Sequence, residues 1–406
     1  MNKPAKYFKN DPEFLKYGYY KINKFKSFSK LEAWQYARDN NLTIDDIQYI
    51  FNDDKFSKFD WAIEPTESIE SLYIKRATEI RKKYDYLILF YSGGIDSHVI
   101  LETFLNNDIK IDEIITFHNS LDDKTGLFNK EVFNVAIPYI ESLDLKKRGI
   151  KYRLVDIGPS LIQEFQNATD YANNKFYSIN GLHSLWSNWI RLGVSKIAHF
   201  QDHIKLSKNN NTVAYIWGLD KPNMTISDDG YYIFRYIDSV PDFGAKTFIN
   251  KTVHGDVLSN VYDESFFVSM ESPEIVIKQC HLIANEFNKM NYDDPRLTPF
   301  PSLQEAVPYV LFNSSNLLSK NELVKIIYPN SPYSMFGDDK ISGSIILSKK
   351  NMWFYRQKSD IRNKMITELK KMFRENNDYF YYTLDGTPIS PKFMFTKIAY
   401  KIKKII

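Results

Sequence analysis

Residues 86–97 read YLILFYSGGIDS, an apolar run that breaks without transition into a loop of small residues. Leu87, Ile88, Leu89 and Phe90 have strand length and no polar alternation, which predicts a strand buried on both faces, as in a parallel sheet. Ser92, Gly93 and Gly94 then leave the backbone amides clear of bulky side chains. Beyond them Ile100, Leu101, Phe104 and Leu105 recur at helical spacing, with Glu102 and Asn106 off that stripe and Asp96 or Ser97 placed to cap the helix. Strand, glycine turn and helix start, in that order, make an anion site, because free amides and the positive end of the helix dipole meet at one corner. The turn matches neither GxxxxGK[ST] nor GxGxxG.

The flanking sequence supplies the rest of an α/β unit. Ile69, Leu72, Tyr73, Arg76, Ala77 and Ile80 predict an amphipathic helix within 66–85, with Glu67 and Glu70 early and Arg81, Lys82 and Lys83 late, the charge order that suits its dipole. Residues 113–117 (EIITF) and 152–157 predict two further strands, separated by a helical pattern over 129–148 that Pro138 should kink or shift. Residues 213–222 (VAYIWGLDKP) run an apolar strand into Gly218, Asp220 and Lys221. Ligands bind at that end of a parallel strand, where an acid can hold Mg²⁺ and a lysine can meet a phosphate. An ordinary turn stopped by Pro222 accounts for the same residues. His199 and His203 stand one helical turn apart, but Phe200 occupies the place of the glutamate of a zinc-protease helix, and a solvated or packing role is preferred. Asp229-Gly230 between residues 224–226 and 231–236 is a hairpin signal.

Ser92, Gly93, Gly94, Asp96 and Ser97 are the fixed residues of an SGGxDS loop, and the stretch resembles that of the PP-loop family, the N-type ATP pyrophosphatases that include asparagine synthetase, GMP synthetase and NAD synthetase. The resemblance implies an adenine nucleotide alpha hydrolase-like, doubly wound parallel sheet of five strands. It implies that Ser92, Gly94 and Ser97 grip the pyrophosphate portion of ATP, that Asp96 helps position Mg²⁺, and that Thr116 and Phe117, with His118, lie where the family meets adenine. Glycine followed by an acid after the fourth strand, here Gly218 and Asp220, also agrees with the family in position. Lys340 is the candidate for the later lysine that asparagine synthetase directs toward pyrophosphate.

Composition narrows the choice. Cys280 is the single cysteine, which excludes an intrachain disulfide and a cysteine-based zinc site and removes the family's cysteine-dependent sulfur, nitrile and reductase chemistries. A glutaminase domain would need cysteine at position 2, where Asn2 stands, so the nitrogen donor would be ammonia, an amine, or material delivered by a partner. With 53 basic and 50 acidic residues the net charge is +3, so no global field favours nucleic acid. No apolar run approaches the roughly 20 residues of a membrane span, and a cytoplasmic setting is expected.

The expected organisation is a helical N-terminal cap over 1–78, beginning with an irregular arm over 1–28, then an ATP-binding α/β domain over 79–248, and a mostly helical acceptor module over 249–406 that ends in a basic surface helix over 393–406. The expected activity is an asparagine synthetase-like ligase that adenylates a carboxylate or carbonyl oxygen of a small-molecule acceptor and passes the carbon to a nitrogen nucleophile. Asp96, Asp220 and Lys221 are its candidate catalytic residues, and Asp96 and Asp220 its metal ligands. Modification of a nucleobase in RNA or DNA, and a non-catalytic nucleotide-binding module, are the alternatives.

Overall fold

The computed structural model describes residues 18–27, 30–126, 129–158, 201–218, 224–238, 260–289, 326–329, 380–382, 388–391 and 394–405, with single positions at 10, 15, 222 and 363. Strands β1 (Tyr19–Ile22) and β2 (Phe25–Ser27) form an antiparallel hairpin turned at Asn23, whose φ is 52°. The irregular arm expected over 1–28 is corrected here. Tyr20, Ile22, Phe25 and Ser27 alternate inward, and asparagine tolerates the left-handed conformation a two-residue turn requires. Helix α1 (Lys30–Asp39) packs on the hairpin, burying Ala33, Trp34 and Ala37, and β3 (Gln48–Ile50) pairs antiparallel with β1. Between them Thr43 starts the short 3-10 helix Ile44–Asp46, its amide and hydroxyl both donating to Asp46 Oδ2 at 2.8 and 3.0 Å. With α2 (Asp53–Phe56) this makes a mixed unit around a three-stranded sheet rather than a purely helical cap.

Helix α3 (Ile69–Lys83) begins where Ser68 Oγ accepts from the Ser71 amide at 3.2 Å, and it buries the predicted stripe. That stripe includes a guanidinium: Arg76 is buried because Glu264 and Glu271 meet it at 2.8 and 3.1 Å. The chain then enters β4 (Tyr86–Phe90), α4 (Ile95–Asn106), β5 (Glu113–His118), α5 (Ile137–Ser142), β6 (Lys151–Asp156), α6 (Gln201–Lys208) and β7 (Val213–Trp217). The hairpin β8 (Met224–Ile226) and β9 (Tyr231–Phe234) and the strand β10 (Val261–Ser265) follow. The helix expected over 129–148 starts instead as a π-helical turn, Val132–Ala136, and Pro138 falls in the first turn of α5, where its missing N–H is least disruptive.

Five strands form one all-parallel sheet in the order β10-β7-β4-β5-β6, with β4 in the centre. The chain moves outward from β4 through β5 to β6, then crosses back to β7 and β10, so the connections leaving β4 and β7 diverge. Such a reversal opens a crevice at the carboxyl ends of those two strands. The fifth strand comes from 261–265, past the boundary at 248 suggested by the sequence. Over the interior strands, His203 of α6 bonds Glu113 Oε2 of β5 at 2.9 Å and the Tyr215 hydroxyl of β7 at 3.1 Å, while Tyr86 of β4 donates to the same Glu113 oxygen at 3.0 Å. His203 thus fastens α6 to the sheet; His199 lies outside the described residues.

The C-terminal third is mixed, not mostly helical, among its described residues. Helix α7 (Pro273–Lys289) lies within the region expected to be mostly helical. Beyond the hairpin β11 (Phe380–Tyr382) and β12 (Pro388–Pro391), the basic surface helix expected at 393–406 is corrected to a strand, β13 (Tyr400–Lys404), paired antiparallel with β9. Tyr400 and Ile402 point inward and Lys401 outward, a period of two rather than 3.6. Among the described residues no helix is long and apolar enough to cross a membrane.

Candidate functional site

The glycine loop lies at the carboxyl end of β4, where the strand order reverses. Gly93 has φ +78°, and a Cβ there would stand 2.9 Å from the Ala136 nitrogen and 3.1 Å from the Glu131 carbonyl oxygen, so both backbone and space demand glycine. Gly94, and neither Asp96 nor Ser97 as expected, is the N-cap of α4, and no side chain caps the helix. First-turn amides without a capping side chain are the donors an anion seeks. The loop also organises itself. Ser97 Oγ donates to the Gly94 carbonyl at 3.0 Å and accepts from the Ser92 amide at 3.2 Å, Ser92 Oγ accepts from the Gly94 amide at 3.2 Å, and the two hydroxyl oxygens lie 3.3 Å apart. Ser92 is exposed, and Gly94 and Asp96 are partly so, leaving one side of the loop open to solvent.

Gly218, at the end of β7, reaches the same corner. A Cβ on it would lie 2.9 Å from the Asp96 carbonyl carbon and 3.0 Å from the Ser97 nitrogen. Gly218, distant in sequence from Asp96 and Ser97, is therefore their neighbour, as the topology requires. Asp220 and Lys221 lie outside the described residues, as does Lys340.

Two residues at this corner carry no signal in the loop motif. Tyr328 donates its hydroxyl to Asp96 Oδ1 at 2.5 Å, and Glu131 places Oε1 3.7 Å from where a Cβ of Gly94 would stand. Glu131 opens the helical pattern before the π turn, and only the tight approach of that turn to Gly93 reveals it as a second carboxylate beside the loop.

The other expected contacts divide. Thr116 is buried and donates to the Tyr91 carbonyl at 2.8 Å, so its hydroxyl fixes the end of β4. Phe117 is partly exposed and stacks on Phe90 with ring centroids 5.1 Å apart; Phe90 stacks in turn on Trp217 at 3.8 Å. An aromatic row thus follows the carboxyl ends of β5, β4 and β7, and the Trp217 indole is held by Asp263 Oδ1 at 2.7 Å. His98 is buried beneath the loop beside the Tyr91 hydroxyl, 3.1 Å from Nδ1, and burial lowers its pKa to about 4, so it is a neutral packing group at pH 7.

Carboxylate oxygens suit Mg²⁺, which commonly takes one or two protein carboxylates and completes its shell with water and phosphate oxygens. Asp96 and Glu131 fit that requirement in residue type. Among the described residues no group of three His, Cys, Asp or Glu side chains forms an all-protein metal site, and this mode of binding needs none. No protein-family model matches the chain, and comparison with curated proteins finds no match.

Proposed function

We propose that the loop at residues 92–97 binds the pyrophosphate portion of ATP and that the protein is an AMP-forming ligase of asparagine synthetase-like type. The observation that carries the reading is the placement of an SGGxDS loop, with Gly93 at φ +78° and Gly94 capping α4, at the carboxyl end of the central strand where sheet order reverses. A loop with this sequence elsewhere in the sheet would not support it.

In this reading the amides of Gly93 and the first turn of α4, with the hydroxyls of Ser92 and Ser97, bind the phosphate oxygens, exchanging their mutual hydrogen bonds for bonds to the ligand. Gly218 keeps the end of β7 close without filling the cradle. Phe117, on the aromatic row, offers a face to the base. Asp96 would hold Mg²⁺ together with Glu131 beside the loop or Asp220 after β7, and the ion when bound supplies positive charge against the phosphates. Lys221 is the candidate to offset charge developing on the leaving pyrophosphate. An oxygen of the acceptor attacks the α-phosphorus and the bond to pyrophosphate breaks; ammonia or an amine then attacks the adenylated carbon, the carbon–oxygen bond to AMP breaks, AMP leaves and the nitrogen gives up a proton. Holding these groups in register, rather than covalent chemistry by the protein, is the main source of acceleration.

The test is a pyrophosphate-release screen with ATP and Mg²⁺ across amino acids and nucleosides, with Asp96→Ala as control. Acceptor-dependent release by the wild type that is lost in Asp96→Ala supports the reading, and an equally active mutant removes it.

A further inference from the structure

We infer that Tyr328 is a positioning residue for Asp96: its phenol fixes the carboxylate of the loop at the start of α4. The inference rests on the reading of the loop as a nucleotide site and deepens it.

Three observations support it. The Tyr328 hydroxyl donates to Asp96 Oδ1 at 2.5 Å, within the range of charge-assisted bonds between a hydroxyl and a carboxylate. Tyr328 is fully buried, its ring 5.4 Å from that of Phe267, which in turn meets Tyr73 edge-on at 5.4 Å. The backbone beside it is also tied. Tyr73 donates to the Ile327 carbonyl at 2.6 Å and accepts from Gln279 Nε2 at 2.8 Å, so α3 and α7 both hold the segment that carries the phenol.

A carboxylate that ligates a cation through a single-bonded stem must otherwise freeze its own rotation when the ion binds. A buried phenol on one oxygen does this in advance. Supports of this kind, when removed, typically weaken metal affinity about 10–100-fold. A role confined to packing would instead lower stability and leave metal dependence alone.

The experiment titrates Mg²⁺ into the full chain in the presence of inorganic pyrophosphate, following bound pyrophosphate by calorimetry and the melting temperature in parallel. Tyr328→Phe keeps the ring and deletes the hydroxyl. The expected result is a rise of about 10–100-fold in the Mg²⁺ concentration at half-saturation, with weak metal-free pyrophosphate binding unchanged. Tyr73→Phe, which releases Ile327 without touching Asp96, raises the same midpoint by a smaller factor, and it carries the test if Tyr328→Phe does not fold. A wild type that binds pyrophosphate with Mg²⁺ and a variant with an unchanged or lower midpoint overturn the inference and leave the nucleotide reading standing; a lower midpoint means that the phenol competes with the metal. Absence of Mg²⁺-dependent binding in the wild type overturns both.

Discussion

Gly218 stands so close to Ser97 that a Cβ on it would lie 3.0 Å from the Ser97 amide nitrogen and 2.9 Å from the Asp96 carbonyl carbon. Both obstacles are backbone in the first turn of α4, and neither can rotate away. Gly218→Ala therefore overpacks the junction of β7 with the loop, at a loss of about 1–3 kcal/mol in urea unfolding. If nucleotide binds at this corner, the stabilisation by Mg²⁺ and pyrophosphate shrinks as well. Full retention of both properties would contradict the close approach.

Gly93 and Gly230 share φ +78° but not surroundings. Nothing lies within 4 Å of a Cβ on Gly230, whereas one on Gly93 would meet Ala136 at 2.9 Å. Gly230→Ala should lose only the roughly 1–2 kcal/mol of a left-handed non-glycine residue. Gly93→Ala adds a steric cost of about 1–3 kcal/mol to that. Denaturant midpoints of the two variants, measured side by side, check the ordering.

Arg76 ties α3 to β10 from within the core. Removing the guanidinium leaves Glu264 buried beside Lys83, 3.0 Å away, and a shortened set of partners. Arg76→Met should lose about 3 kcal/mol, the low end for breaking a buried pair, because Lys83 remains. Adding Glu264→Gln removes the carboxylate that Arg76 no longer meets and restores part of that loss, since Lys83 keeps Glu271 at 2.6 Å. A double variant less stable than the sum of the single changes would contradict this account.

The centre of the fold was legible in the sequence because its signals are local. An unbroken apolar run, a glycine turn and an i, i+4 stripe fall within 20 positions of one another for β4 and α4, roughly the span of a single βα unit. The hairpin of β1 and β2 was hidden by lysines on its outward face, although Asn23 marked the turn. The strand β13 reads as helix by charge because Lys401, Lys403 and Lys404 crowd one short segment, and only the inward Tyr400 and Ile402 show the period of two. At the site, Ser92 to Ser97 were readable as a motif, whereas Tyr328 reaches Asp96 through tertiary packing that leaves no mark near either residue.

Acid should expose opposing titrations. His98 is held down to about pKa 4, and His281 is also lowered, each first by burial. The unfolded chain therefore binds protons that the folded chain refuses, and these groups make stability fall as pH drops from about 6.5 toward 4. Asp53 works the other way. Burial, aided by Asp54, raises it to about 6, so the folded state gains protons first, and its contribution declines as pH rises from near 4 through 6. His98→Gln should flatten the loss on acidification, and Asp53→Asn should steepen it, each by no more than about 1.4 kcal/mol per pH unit. Urea midpoints at several pH values in this window give the slopes.

The pairing of β13 with β9 joins Tyr400 to Phe234 and Lys404 to Tyr231. During synthesis the hairpin of β8 and β9 leaves the ribosome long before its third strand exists, and one edge waits with its peptide groups unclaimed. The timetable of translation thus gives chaperones, or a neighbouring nascent chain, a window at that edge which closes only when residues 400–404 emerge.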